Sequence, residues 1–448
     1  MIKEDNCNGQ PKEKPPRQGK RKSVTFNIQD TKHERKRSSH MERSVLDKKS
    51  TRVLNFPLTV NQQLWLVFLL PSVIETTFYI VDLATDLAIG IEFLSKKDIW
   101  VGSATLLITY SAPLVCYITH IVNPPPENEI KALVAWFMVE TGAFLLYPIR
   151  PIQCFAERLF WSIEATRLED PKREDALKAY EATRHFKIEH YLFLQGLIHA
   201  GPQAIFQTVL LVSGYTDNPH IEKMQVLSIV TSLMSLSLVT TSYQRYETQA
   251  KGGRSRVWNV DQDTVDGEEP TVLLASGTSG NGLPVRRRWT KVMDEDNPIG
   301  KVAAFLFWFL FLLGRILALV IAAWFHPLIV LGVCAGHYFF TLLYILPSPD
   351  CKSSIPLKIL MSFVFIFCLV EVGIQFRKSF LFYGLFFIFS CVENLSLTLL
   401  WVLWAKWEGF WYYYALYFMG LTHVLAIMFA GLYVKYFRPP IKRLKPTT

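Results

Sequence analysis

Apolar and polar positions fall in long blocks along this chain, not in the short rhythm of a soluble fold. Ten apolar blocks stand at about 60–94, 99–122, 132–149, 191–213, 224–243, 301–325, 327–346, 356–376, 380–404 and 409–436. Most approach or exceed about 20 residues, enough helix to cross a hydrocarbon layer about 30 Å thick. Helices are expected in such blocks because they satisfy their own backbone where no water can.

The polar connections assign sides, since bases accumulate on the cytoplasmic face. Residues 150–190 carry eight Lys/Arg and residues 244–300 another eight, and the last residues add Arg438, Lys442, Arg443 and Lys445. Two spans return the chain to the inside at Asn123-Pro124-Pro125-Pro126. The block 132–149 must then begin and end on that side, as a re-entrant hairpin closed by Pro148-Ile149-Arg150-Pro151. The same parity makes 356–376, interrupted by Glu371 and Gly373, a second re-entrant segment. The expected fold is an all-α polytopic membrane protein, with eight transmembrane helices plus two re-entrant helices in two pseudo-repeats of five elements. Its parts are a basic tail (1–58), a first membrane half (59–243), a flexible loop (244–300), a second half (301–436) and a short basic tail (437–448). Both termini are expected in the cytoplasm.

Composition agrees with this reading. The 448 residues are 50% hydrophobic and 14% aromatic with only 19% charged, where a soluble chain carries about 25% charged. A soluble enzyme, a coiled coil and a disordered scaffold are excluded. Up to Arg52 there are 15 Lys/Arg against 7 Asp/Glu, so +8 of the net +9 lies in the tail. That tail reads as solvated and able to touch anionic lipid. It has no signal-peptide pattern, and nucleic acid is not an expected partner. The seven cysteines form no C-x-x-C pair or Cys/His cluster, so neither a zinc site nor a disulfide framework is indicated. Phosphate loops, dinucleotide fingerprints, EF-hands and H-E-x-x-H are absent. No metal, no cofactor, no catalytic centre and no energy source are expected.

Charged residues inside apolar blocks are costly and mark function or pairing. Glu75, Asp82 and Asp86 lie in the first block, and the two aspartates share a helix face. Glu140, Gln203, Gln207, Arg315, Glu371 and Glu393 complete the candidates, with His199 four residues before Gln203. Arg315 is the only base deep in any apolar block, so it is expected to pair with Asp82 or Asp86. The helix at Gly201-Pro202 is expected to be kinked or unwound, turning Gln203 and Gln207 toward a polar track. Such a track suits ions, protons or a lipid headgroup.

These residues carry a resemblance. Tyr79-Ile-Val-Asp82-Leu-Ala-Thr-Asp86-Leu, Ala200-Gly-Pro202-Gln203-Ala-Ile-Phe-Gln207, Ser228 to Ser237, Arg315 after an aromatic run, and Glu393-Asn394 before Leu399-Leu400-Trp401 resemble the XK-related family. The likeness covers roughly 60–436. It implies eight spans with two re-entrant helices. It also implies energy-independent exchange of phosphatidylserine and other phospholipids between leaflets of the plasma membrane in apoptosis. Asp82, Asp86 and Arg315 would belong to the charges tied to scrambling. A single-span chaperone subunit or a bulk lipid-transfer protein are the partners the family implies.

The loop contains Asp263-Thr264-Val265-Asp266-Gly267, the D-x-V-D↓G pattern that effector caspases cut. Glycines and Glu268-Glu269-Pro270 around it are expected to leave it accessible. Three functions stay open: a caspase-activated phospholipid scramblase, a membrane anchor for a bridge-like lipid-transfer protein, and a passive solute transporter.

Overall fold

A computed structural model of the chain describes residues 52–53, 56–122, 130–183, 189–244, 290–293, 298–347, 355–371, 379–405, 411–438 and 441–444. Most of both tails, most of the 244–300 loop, and Asp263, Asp266 and Gly267 lie outside these residues.

The described body is helical, with α1 at Val60–Ser95 and α2 at Ile99–Val122. Then come α3 (Ile130–Leu145), α4 (Ile149–Arg167), α5 (Lys172–Ala182), α6 (189–212) and α7 (Pro219–Tyr243). The second half holds α8 (Pro298–Phe325), α9 (Pro327–Ile345), α10 (Ile355–Val364), α11 (Ser379–Trp404) and α12 (411–437). Thr59 starts α1 with a reciprocal cap: its hydroxyl accepts from the Gln62 amide at 3.4 Å, and Gln62 Oε1 accepts from the Thr59 amide at 3.0 Å. Asn218 opens α7 by accepting from the His220 amide at 3.0 Å.

Among the described residues, three full π-helical turns interrupt these helices, at Leu64–Leu69, Gln195–Ala200 and Tyr433–Phe437. Each ends two residues before a proline: Pro71, Pro202 and Pro439. Proline cannot donate to the carbonyl four residues back and its ring crowds that carbonyl, so the preceding turn widens. At Pro202 the carbonyl concerned is that of Ile198, which accepts from Ser111 Oγ of α2 at 3.4 Å. The expected distortion of this helix is therefore a widened turn, not an unwinding.

Among the described residues, seven helices are long and apolar enough to cross a membrane, and they coincide with seven of the eight expected spans. The eighth, 191–213, is α6 with its π turn. The expected hairpin within 132–149 is not seen. That block is taken up mainly by one helix, α3, which meets α4 at 88°. The break falls where Pro148 and Pro151 forbid continuation, and the second arm is α4, which the sequence reading gave to the 150–190 loop. In the second half α10 ends at Val364, and the chain runs without a helix through Phe365–Glu371, buried throughout.

α8 is the central post: 67% of its apolar window is buried, against 17% for α12. Its Trp308 and Phe311 pack against Phe387 and Phe386 of α11 within one core that reaches from Tyr79 to Ala426. Two small antiparallel ribbons depart from the all-α expectation. One pairs Arg52–Val53 (β1) with Phe56–Pro57 (β2). The other pairs Thr290–Met293 (β3), at the end of the long loop, with Ile441–Leu444 (β4) of the C-terminal tail.

Candidate functional site

α1, α6 and α7 bring the polar residues of the first half together. Asp86 accepts from Ser228 Oγ at 2.5 Å and lies 2.8 Å from His199 Nε2. Asp82, one turn away, accepts from Thr231 and Ser232 at 2.9 Å each. Asp82, Asp86, Gln203, Gln207 and Gln225 have no exposure, and His199 is 1% exposed. The serines and threonine act here as donors to carboxylates, the charge-assisted type of hydrogen bond that offsets burial. Each of Asp82, Asp86 and His199 places a ligand atom within 4.8 Å of the others, three donors that converge as a cation's ligands do. The sequence reading indicated no metal set, because His199 is 113 positions from Asp86.

Among the described residues, several atoms of this seam have no partner. Gln203 and Gln225 leave both amide atoms unpaired, Gln207 its Oε1, Asp82 its Oδ2 and His199 its Nδ1. A buried polar atom without a hydrogen bond costs about 1–3 kcal/mol. Such concentrations are tolerated where a protein works, not where it only packs.

The seam continues along α1 and α7 to a half-open cavity of about 90 Å³, lined by Glu75, Tyr79, Phe155, Gln195, Ser235 and Ser242 among others. Glu75 is held by the guanidinium of Arg158, which is 1% exposed and also donates to Tyr180 Oη at 2.8 Å. From Gln225 to Ser242 the helix rises about 26 Å, close to the thickness of the hydrocarbon layer.

Arg315 is elsewhere. Its Nη2 meets Glu393 at 2.6 Å, its Nη1 meets Asn394 at 2.7 Å, and its Nε donates to the Ile366 carbonyl at 3.2 Å. His337 Nδ1 lies 3.0 Å from Glu393, and Asn394 Nδ2 lies 2.9 Å from His423 Nε2. The expected pairing of Arg315 with Asp82 or Asp86 is thus corrected: α8 turns the guanidinium into the second half, where a carboxylate and a freed backbone carbonyl occupy its donors. Glu371 contributes its amide, which donates to the Tyr243 carbonyl at 2.9 Å. Glu140 is in neither cluster; it contacts His120 at 2.9 Å and Arg150 at 3.2 Å.

A sequence profile described as XK-related protein matches residues 70–258 and 287–439, most of the chain. The chain belongs to the XK-related family. No curated protein gives a significant match to it. The family match spans both polar clusters and breaks at 259–286, within the long loop.

This XK-related chain also has a junction that sequence reasoning missed. Gln244, at the start of the loop, takes a hydrogen bond from Trp308 Nε1 at 3.1 Å and gives one to Tyr433 Oη at 3.4 Å. The Tyr383 hydroxyl donates to its carbonyl. One loop end is therefore fixed to α8, α11 and α12, and the other to β4. No periodicity signals a single glutamine that gathers three helices.

Proposed function

We propose that this chain is a phospholipid scramblase that exposes phosphatidylserine at the plasma membrane, works without an energy source, and is activated by effector-caspase cleavage after Asp266. The observation that carries the reading is the first-half seam. It is about 26 Å long, buried, rich in donors and acceptors, and ends at a half-open cavity beside Glu75. A zwitterionic headgroup needs both donors and acceptors to leave water, and the unpaired glutamine amides supply both. Its acyl tails stay in hydrocarbon. Membership of the XK-related family supports the reading.

Activation follows from the anchored loop ends. The segment that holds Asp263, Asp266 and Gly267 joins two anchored ends, the Gln244 junction and the β3–β4 ribbon. Cutting there frees one end from the other, which loosens α7 against α8, α11 and α12. Under this reading Asp82, Asp86, Gln203 and Gln207 line the lipid path, while Arg315 and Glu393 hold the frame beside it. Membrane phospholipids and an effector caspase are the partners, and a single-span chaperone subunit is the further partner for surface delivery.

The test uses the full chain, purified in liposomes with a fluorescent phosphatidylserine. Exchange between leaflets should rise after caspase treatment, and Asp266→Ala should stay at the uncut rate. Equal exchange by cut and uncut wild type removes the switch. No exchange in either state, with binding of a lipid-transfer protein, moves the chain to the anchor reading. Solute uptake without lipid exchange moves it to the transporter reading.

A further inference from the structure

Outside the lipid seam, one cluster has the geometry of an assisted nucleophile. Cys116 and His120 are four residues apart on α2, so their side chains share a face. Cys116 Sγ lies 3.9 Å from His120 Nε2. The other ring nitrogen, Nδ1, lies 2.9 Å from Glu140 Oε2 of α3, and that same oxygen is held at 3.2 Å by Arg150 of α4. The carboxylate is an acceptor only, so Nδ1 carries the proton and Nε2 keeps its lone pair toward the thiol. Nucleophile, base and orienting carboxylate thus come from two helices, with a third fixing the carboxylate. Tyr117 clamps the pair in place: its hydroxyl is 3.0 Å from Thr141 Oγ1 and its ring stacks on Phe144 at 5.0 Å.

The surroundings select the electrophile. Cys116 is partly exposed, and His120 has a side-chain exposure of 37%. The thiol sits six residues, about 9 Å, from the end of α2 at Val122, with the half-exposed Arg150 at the same end. A reactant reaching it therefore needs a long apolar tail in the bilayer and a polar carrier at the surface. We propose that Cys116 is a self-acylating site that takes a long-chain acyl group from an acyl-coenzyme A thioester. His120 Nε2 accepts the thiol proton as Sγ attacks the thioester carbonyl carbon. The carbonyl–sulfur bond to coenzyme A breaks, and the departing thiolate takes the proton back from Nε2. One thioester replaces another, with no redox change. The attached chain anchors α2 beside the 88° break between α3 and α4. This inference does not depend on the scramblase reading.

The experiment incubates purified full-length protein with alkynyl palmitoyl-coenzyme A and maps the label by mass spectrometry. A hydroxylamine-labile label on Cys116 is expected, lost in Cys116→Ala. His120→Asn and Glu140→Gln should slow it by about 100-fold or more, the range of general-base assistance. Because Glu140→Gln conserves size, and iodoacetamide alkylation of Cys116 reports access to the thiol separately, misfolding is distinguishable from loss of the relay. No label on Cys116, or an undiminished rate in His120→Asn, overturns the proposal. So does labelling in cells with none on the purified protein, since an external acyltransferase then does the work.

Discussion

The two buried clusters differ in how completely they are satisfied. In the second half the guanidinium of Arg315 meets Glu393, Asn394 and the Ile366 carbonyl, and His337 closes the far side of Glu393. Plus meets minus, and the non-helical run after α10 gains a donor it needs. In the first half two carboxylates share one imidazole and three hydroxyls, while Gln203, Gln207 and Gln225 keep unpaired amide atoms. A network with every member satisfied rigidifies; one left partly unsatisfied pays in stability and stays responsive. On the proposed reading the second cluster is therefore a fastener, and the first is the working surface.

That contrast is broken most directly at Arg315. Arg315→Met should cost about 3–5 kcal/mol, because it leaves Glu393 buried without its cation. Arg315→Met/Glu393→Gln should recover most of the loss. Thermal unfolding in detergent, together with surface expression, reads both. If the double variant is no more stable than the single one, Glu393 is not left stranded and the fastener role fails.

The next effect is on activity. Asp86→Asn keeps the shape of the side chain and removes one of two neighbouring buried acids. Stability should change by under about 1 kcal/mol, since a buried charge is replaced by a neutral acceptor for Ser228. Lipid exchange per folded molecule should fall at least tenfold. Should Asp86→Asn melt like Arg315→Met while the exchange rate per folded molecule holds, the two clusters have the same role and the comparison collapses.

How much of this was legible beforehand follows from what spacing can encode. Asp82 with Asp86, and His199 with Gln203 and Gln207, are four apart, and each set does turn one face into protein. Spacing names the face but not the helix it meets. Counting charges made Arg315 the natural partner of the aspartates, yet the hydrogen-bond partners of Asp82 and Asp86 are a histidine and hydroxyls more than 100 positions away. Glu393 was equally visible as a partner for Arg315. The choice between them is tertiary, because it depends on how α8 is rotated. The Cys116–His120 pair was readable from its i,i+4 spacing, but the reading found no Cys/His cluster, and Glu140 joins only through the approach of α3. Pro202 was read in advance as a distortion; the π turns before Pro71 and Pro439 were not, although each also precedes a proline. The ribbon between β3 and β4 joins stretches about 150 residues apart, and no local pattern announces it.

The smallest expected effect tests the end of the working half. Tyr215, between α6 and α7, donates its hydroxyl to Asp98 Oδ2, between α1 and α2, at 2.6 Å. This contact ties the two connections at one end of the seam; Tyr215 is exposed and Asp98 half-buried. The hydrogen bond and the charge of Asp98 hold the Tyr215 phenol above its ordinary range. A group whose pKa rises on folding contributes fully below its unfolded value and loses that contribution as pH passes the folded one. For a tyrosine the unfolded value is about 10, so the bond is intact at physiological pH and fails only in strong alkali. Tyr215→Phe should accordingly leave expression and exchange unchanged, and any difference in melting temperature from wild type should be small and flat between about pH 6 and 9. A marked loss of exchange would mean that this end of the seam must be held shut or aligned by the loop contact, and would extend the working surface from the buried aspartates to the connections above them.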